Sequence, residues 1–361
     1  MKPRRSRAYA RPRVSPERTV TLSVVTVTYE SAAAVEVSLP ALVAQLQPDD
    51  ELIVVDNASR DGTVAAVRRL APAALVVESG ENLGFAAGCN LGATHASGEL
   101  LVFLNPDATP AAGFRAAIER PLRGREGWAA WMGLVTADAG RTVNTAGGVV
   151  HFTGISWAGQ SGRGVRADEE AGDVGFVSGA CLAVPRDVWR REGGFPPRFF
   201  MYCEDVDLSL RLRLHGERIG VEPSARVEHD YAFVKGSEKW RLLERNRWAT
   251  ILRTYPTPLL LLLAPALVAA EVAVLAAATA GGWKGAKVAS WRETVSELPR
   301  LRAERAQIQA GRRVSAAEFA DGLVADLSSP YLGRAASLPP LRWALRAYWT
   351  GVRAALRRLG L

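Results

Sequence analysis

Apolar residues in the first hundred positions fall into short, β-branched runs. They are Leu22-Ser23-Val24-Val25-Thr26-Val27-Thr28, Glu51-Leu52-Ile53-Val54-Val55, Leu75-Val76-Val77 and Glu99–Leu104. Between them lie stretches with helical character, Ala32–Gln45, Thr63–Leu70 and Phe85–His95. Short apolar runs alternating with helices of this length predict βαβ units and a mainly parallel central sheet. From Trp128 to Ala183 the pattern changes to short strands with glycine-rich turns such as Gly147-Gly148 and Gly159–Gly164, which predicts a mixed or antiparallel extension. Val206–His215 reads as a helix, Ala225–His229 as a short strand and Ser237–Arg253 as a long helix. The fold class expected is α/β, with a helical C-terminal region.

Each predicted strand ends in polar residues, and open α/β sheets bind ligands outside the carboxyl ends of their strands. Thr28, Tyr29, Glu30 and Ser31 follow the first strand, and Asp56-Asn57-Ala58-Ser59-Arg60-Asp61-Gly62 the second. Asp56 can accept a hydrogen bond from a pyrimidine imide, whereas Ser59 and Asp61 read more simply as turn and helix-cap residues. Leu104-Asn105-Pro106-Asp107 follows the fourth strand. A carboxylate there can hold a hard cation and clamp a diphosphate, although Asn-Pro-Asp is also ordinary turn chemistry. A second acidic cluster, Glu204-Asp205-Val206-Asp207, can supply a general base. The segment Gly80–Gly92 carries glycines at intervals of four but follows the third strand and lacks G-x-G-x-x-G, so it is no dinucleotide fingerprint. Its glycines suit close packing against a sheet or a phosphate.

Composition narrows the partners. The 361 residues carry a net charge of +8, and only five of the 45 basic residues are lysines. That balance suits phosphates or an acidic membrane surface. No basic stripe with interleaved aromatics appears, so nucleic acid is not expected as a partner. Cys89, Cys181 and Cys203 are scattered, which argues against a disulfide framework or a zinc site and makes the cytoplasm the expected compartment. Residues 1–20 are basic and interrupted by prolines, without the apolar stretch of a signal peptide, and read as a disordered arm.

The last third poses a separate problem. Arg245 and Arg247, on the Ser237–Arg253 helix, can reach a diphosphate or simply be solvated. Pro258–Ala280 approaches the roughly 20 residues of a membrane span, but Pro265 and Glu271 interrupt it. Flanking Arg, Lys and Trp residues suit a helix lying on the inner face of the cell membrane, or a shallow inserted hairpin, more than a complete span. A homo-oligomer interface is the soluble alternative. The amphipathic tail Ser337–Leu361 has the same character. Because every nucleotide-suited motif lies upstream, the region from Pro258 onward is expected to be removable without unfolding the donor pocket.

Five motifs occur in order: Thr26-Val27-Thr28-Tyr29, Val54-Val55-Asp56-Asn57-Ala58-Ser59, Glu81-Asn82-Leu83-Gly84-Phe85, Leu104-Asn105-Pro106-Asp107 and Tyr202-Cys203-Glu204-Asp205-Val206-Asp207. Together they resemble the inverting family 2 glycosyltransferases with a GT-A fold, and most of all their rhamnosyltransferase branch, over about Ser23 to Thr254. The resemblance implies a GT-A domain over 21–255 and leaves 256–361 as a helical, membrane-associating region. It implies that Thr28 and Tyr29, with Glu30 and Asn82 nearby, border the nucleotide, that Asp56 holds the base imide, and that Asn105 takes the ribose side. Asp107 would hold a divalent cation, Mg²⁺ or Mn²⁺, with His229 as a second ligand rather than a structural residue. Asp205 would be the catalytic base, with Glu204 beside it. The first acid of the family's D-x-D triplet is Asn105 here, which removes one charge from the metal site. The expected reaction moves a sugar, rhamnose from dTDP-rhamnose, with inversion onto a hydroxyl of a lipid-linked or cell-envelope glycan. A UDP-sugar hexosyl or galactofuranosyl transferase is the alternative within the class, and a catalytically silent nucleotide-binding scaffold the alternative outside it.

Overall fold

All seven residues of Leu22–Thr28 are buried, as a strand covered on both faces requires. This strand, β1, lies at the centre of a sheet in a computed structural model that describes residues 20–124, 126–230, 236–329 and 338–361. The expected N-terminal arm therefore falls, but for its last residue, outside the described residues. The remaining strands are β2 (Glu51–Asp56), β3 (Leu75–Glu78), β4 (Leu100–Leu104), β5 (Thr109–Pro110), β6 (Trp128–Ala137), β7 (Thr142–Thr145), β8 (Gly148–Val150), β9 (Ser156–Ala158), β10 (Gly172–Asp173), β11 (Cys181–Pro185) and β12 (Arg218–Glu228). The main sheet runs β10-β12-β6-β11-β4-β1-β2-β3. Strands β4, β1, β2 and β3 are mutually parallel, in the α/β arrangement expected. The changeover comes at β11, which is antiparallel to both β4 and β6. The short strand expected at Ala225–His229 is the end of an eleven-residue strand, β12, with a register shift between Glu222 and Arg226.

Helices α1 (Ala32–Val43), α2 (Thr63–Leu70) and α3 (Gly84–His95) make the parallel crossovers, followed by α4 (Phe114–Ile118), α5 (Arg120–Arg123), α6 (Arg186–Glu192) and α7 (Glu204–Leu214). Two of the periodic glycines explain how α3 lies on the sheet. A Cβ on Gly88 would fall 2.7 Å from Val27, and one on Gly92 would fall 2.4 Å from Val25. Only glycine permits that approach, and it holds α3 directly behind the strand that ends in Thr28.

The C-terminal helices are α8 (Ser237–Thr254), α9 (Thr257–Ala280), α10 (Lys284–Ser296), α11 (Leu298–Ala310), α12 (Ala316–Ala320) and α13 (Pro339–Arg358). They do not form an appendage. Leu259, Leu263 and Leu267 of α9, Leu301 of α11, Phe319 of α12 and Leu356 of α13 belong to the same hydrophobic core as the sheet. Backbone bonds join the two regions as well: Arg313 N–H to the Leu214 carbonyl, and Phe152 N–H to the Val324 carbonyl. The leucines of this region complete the core rather than face away from it.

Glu271, the charge inside α9, has a clear partner set. It pairs with Arg247 of α8 and, at 2.8 Å, with the fully buried Lys287 of α10. Glu244 pairs with the same two cations. Two acids and two bases thus neutralise one another at the junction of three helices. Among the described residues α9 is the one helix long and apolar enough to cross a membrane, and only 17% of its apolar window is buried.

Candidate active site

The carboxyl ends of β1 and β2 are locked together through side chains. Thr28 Oγ1 donates to Asp56 Oδ1 at 2.9 Å, and the Ser59 N–H donates to Asp56 Oδ2 at 2.9 Å. Asp56 is buried, yet a carboxylate has about four acceptor positions, so capacity remains for a donor from a ligand. Tyr29 is 52% exposed beside it. Glu30, in the left-handed region at φ 49°, accepts the Arg60 N–H at 2.8 Å. Asp61 does cap work, accepting from Ala32 N–H at the start of α1 and from Thr63 N–H at the start of α2. Asn82 is an exposed cap whose Oδ1 accepts the Gly84 N–H at 2.9 Å.

Beyond β4, Asp107 Oδ1 lies 3.0 Å from His229 Nε2. The two come from residues far apart in sequence and meet because β5 pairs with the end of β12. His229 is buried, whereas the Asp107 side chain is 52% exposed and open on one side. Burial acts to raise the Asp107 pKa, but the hydrogen bond and charge of His229 outweigh it and hold the carboxyl below its ordinary range. The open side of the Asp107 carboxylate suits a hard divalent cation, which takes one or two carboxylates and draws the rest from phosphates and water, whereas the imidazole beside it is the softer ligand. Among the described residues no group of three or more His, Cys, Asp or Glu side chains forms an all-protein cage.

The second acidic cluster sits on a strained turn. Phe200, Tyr202 and Cys203 all have positive φ, at 64°, 71° and 64°. Each such non-glycine residue costs about 1–3 kcal/mol and persists only where the surroundings over-determine it. Those surroundings are visible. The amide of the fully buried Asn246 donates to the carbonyls of Phe199, Met201 and Tyr202 at 3.0, 2.9 and 2.8 Å. Arg245 donates to Arg198 O and Phe199 O, and its Nε fixes the Asn246 carbonyl at 2.9 Å. On the other side the Ala86 N–H donates to Phe200 O, and the Phe200 ring fills the space where Gly84 lacks a side chain. Helix α7 therefore starts at Glu204 and is opened by the acidic cluster, with Glu204, Asp205 and Asp207 in its first turn. There the helix dipole favours negative charge.

The three acids have different environments. Asp207 is fully buried between Arg211 at 2.8 Å and Arg253 at 3.1 Å and serves packing. Asp205 accepts the N–H of Gly179 at 3.0 Å and that of Val206 at 2.8 Å. Burial raises its pKa, and those two donors work against the rise. Glu204 is buried with Oε2 lacking a hydrogen-bond partner. Burial and the neighbouring Asp205 push its pKa far up. One carboxyl pushed far up beside one that two N–H donors hold closer to its usual range is a usable acid–base arrangement.

A short turn links the two acidic sites. The Asn105 N–H donates to the Ala180 carbonyl at 3.1 Å, and Gly179, the preceding residue, donates to Asp205. The exits of β1, β2 and β4, the His229 end of β12 and the start of α7 thus share one edge of the sheet. Arg247 is not free to serve it. Its guanidinium is held by Glu244 at 2.7 Å, by Glu271 and by the Thr153 carbonyl at 3.0 Å, which turns it away from the diphosphate contact expected for it. The cysteines are all free and buried, and burial pushes the Cys181 thiol up to about 12.

A model of glycosyl transferase family 2 matches residues 23–119, the β1–α4 stretch that carries Thr28, Asp56 and Asp107. That stretch is a family 2 glycosyltransferase domain. This glycosyltransferase is 29% identical over 243 residues to an N-acetylglucosaminyl-diphospho-decaprenol L-rhamnosyltransferase of Mycobacterium tuberculosis, covering 60% of the present chain and 78% of that protein. It is 32% identical to the rhamnosyltransferase WbbL of Escherichia coli over 80 residues, or 21% of this chain and 30% of WbbL. In fold it is similar to GalNAc-T7, solved with UDP, GalNAc and Mn²⁺, with a TM-score of 0.53 at 15% identity over 67% of this chain. The present chain spans about half, 49%, of that structure.

Proposed function

We propose that this enzyme transfers L-rhamnose from dTDP-rhamnose, with inversion, to a hydroxyl of a lipid-linked glycan. The observation that carries the reading is the Gly179–Ala180 turn, bonded to Asn105 on one side and Asp205 on the other, which puts a donor edge and an acid–base pair within one site. The names of the mycobacterial and Escherichia coli relatives support the sugar, and the first of them supports a lipid diphosphate acceptor.

In this reading Asp56 accepts the imide N–H of the base, Thr28 and Tyr29 border the ring, Glu30 and Asn82 shape the rim, and Asn105 faces the ribose. Asp107 and His229 would hold a divalent cation, which when bound offsets the charge that collects on the leaving diphosphate. Asp205 takes the proton of the acceptor hydroxyl as its oxygen bonds to the anomeric carbon, opposite the departing phosphate oxygen. Glu204 keeps its proton beside it and orients the acceptor. The catalytic unit is assigned to 21–255. The helices beyond it, with the exposed apolar side of α9 and the arginines of α13, are assigned to the cytoplasmic membrane surface.

Donor hydrolysis by the purified full chain tests this directly. dTDP-rhamnose should be consumed faster than any UDP-hexose, EDTA should suppress the reaction, and Asp107→Ala should abolish it. A preference for a UDP-sugar would overturn the donor assignment, and full activity in EDTA would overturn the cation site.

A further inference from the structure

We infer that Phe85 selects the transferred sugar, its ring forming an apolar wall that takes the C6 methyl of a 6-deoxyhexose and disfavours a C6 hydroxyl. The inference rests on the glycosyltransfer reading above and adds to it the residue that tells one sugar from another. Phe85 is the second residue of α3 and the outermost member of an aromatic row. The ring centroids of Phe103 and Trp189 lie 4.4 Å apart, and Phe195 stands 4.9 Å from Trp189 and 5.8 Å from Phe103. Phe85 follows at 6.0 Å from Phe195. Phe103, Trp189 and Phe195 are buried and Phe85 only half-buried, so the row reaches the surface at Phe85. Asn90 ties the row to α3. Its amide donates to the Phe195 carbonyl at 2.8 Å, and its Oδ1 accepts the Phe195 N–H at 2.9 Å.

The place where this ring emerges gives it a role. The Gly84 carbonyl, just before it, accepts from the amide of Asn57, the neighbour of Asp56, at 3.1 Å. The Ala86 N–H, just after it, donates at 3.0 Å to the carbonyl of Phe200, in the turn that leads to Glu204. A Cβ on Gly179 would lie 3.1 Å from the Phe85 ring and 3.7 Å from Asp205 Oδ2, so ring and carboxylate flank the same glycine. Ala180, the next residue, carries the carbonyl that binds Asn105. During transfer the anomeric carbon lies between the donor diphosphate, at the Asn105–Asp107 end, and the acceptor oxygen at Asp205, and so along this turn. In a pyranose only C5 and the ring oxygen separate C6 from the anomeric carbon, so a group that reads C6 must stand beside the reacting centre. Phe85 stands there. A phenyl ring offers dispersion contacts to a methyl group but no hydrogen bond to a hydroxyl that has given up its water.

The test uses the full chain and two donors with one base and one ring configuration, dTDP-L-rhamnose and its C6-hydroxylated counterpart dTDP-L-mannose. Hydrolysis by the parent should favour the 6-deoxy donor by about 10–100-fold in kcat/KM, the range open to an apolar wall facing an added hydroxyl. Phe85→Leu keeps the wall apolar and should keep the preference. Phe85→Gln supplies a hydrogen-bond partner and should bring the two donors close to parity. Affinity for dTDP, measured by calorimetry, should match the parent in both variants, because Asp56 and Thr28 hold the base from other elements, and it reports that each variant is folded. If Phe85→Gln fails to bind dTDP, Phe85→Ala carries the same expectation by removing the wall. A folded Gln or Ala variant that keeps the parental preference would overturn the assignment, as would a Leu variant that loses it or a parent that uses both donors alike. A parent that hydrolyses neither dTDP-sugar would instead overturn the donor reading beneath it.

Discussion

At the scale of single residues, the difference between Glu204 and Asp205 matters most for the chemistry. Asp205 receives two backbone N–H groups that favour its ionised form, whereas Glu204 has a buried, unpartnered oxygen that disfavours ionisation. Asp205→Asn should lower turnover by about 10²–10⁴, the usual worth of a positioned base, while donor affinity measured by calorimetry stays constant. Because burial raises the Asp205 pKa, the rate in the parent should climb with pH through a value above the ordinary aspartate range. Glu204 carries a stability consequence of opposite kind. Its folded pKa lies above its ordinary value near 4.5. Between those two values the native state binds a proton that the unfolded state has released, so stability falls as pH rises through the window. Glu204→Gln cannot ionise and escapes that loss. It should melt at a higher temperature than the parent near neutral pH, and the gap should close below about pH 4.5. A variant less stable at neutral pH would mean that Glu204 is ionised and paired in the native protein.

At the scale of elements, the acid-bearing turn is shaped by a helix lying more than forty residues further along the chain. Asn246→Ala removes the donors that hold three carbonyls of the strained 199–203 segment. We expect kcat to fall by about 10²-fold, the usual result of a displacement near 1 Å, with nucleotide binding intact because Asp56 and Thr28 sit on other elements. Loss of nucleotide binding in parallel would mark Asn246 as generally structural. This clamp was not legible in the sequence. No periodicity marks an asparagine on a charged helix as a partner for distant carbonyls, and the left-handed residues it secures are not glycines. The strand exits were legible, because β-branched runs bounded by polar residues define β1, β2 and β4 to within a residue. Arg247 shows the limit of local reading. It looked available for a diphosphate because its second carboxylate partner, Glu271, lies in an apolar helix, where a charge resembles an interruption. Asp207 looked like a third member of the acid cluster, although the Arg211 one turn later signals a helical ion pair.

For the molecule as a whole, the C-terminal helices and the sheet share one core. Deleting residues 258–361 should therefore give a protein that aggregates or fails to bind nucleotide. A truncated chain that stays soluble and binds dTDP with parental affinity would mean that Leu259, Leu263 and Leu301 are dispensable to the core they fill. The four-charge junction of Glu244, Arg247, Glu271 and Lys287 adds a consequence in time. Chains emerge from the ribosome N-terminus first, and domains begin to fold as they appear. Glu244 and Arg247 emerge early and can pair within one helix. Glu271 follows within a long apolar stretch, and the lysine that balances the set arrives last. Until Lys287 emerges the nascent chain exposes its most apolar helix with the junction one positive charge short. Any apolar surface or chaperone that covers that stretch during the interval would protect the chain from aggregation, and the need ends when Lys287 closes the junction.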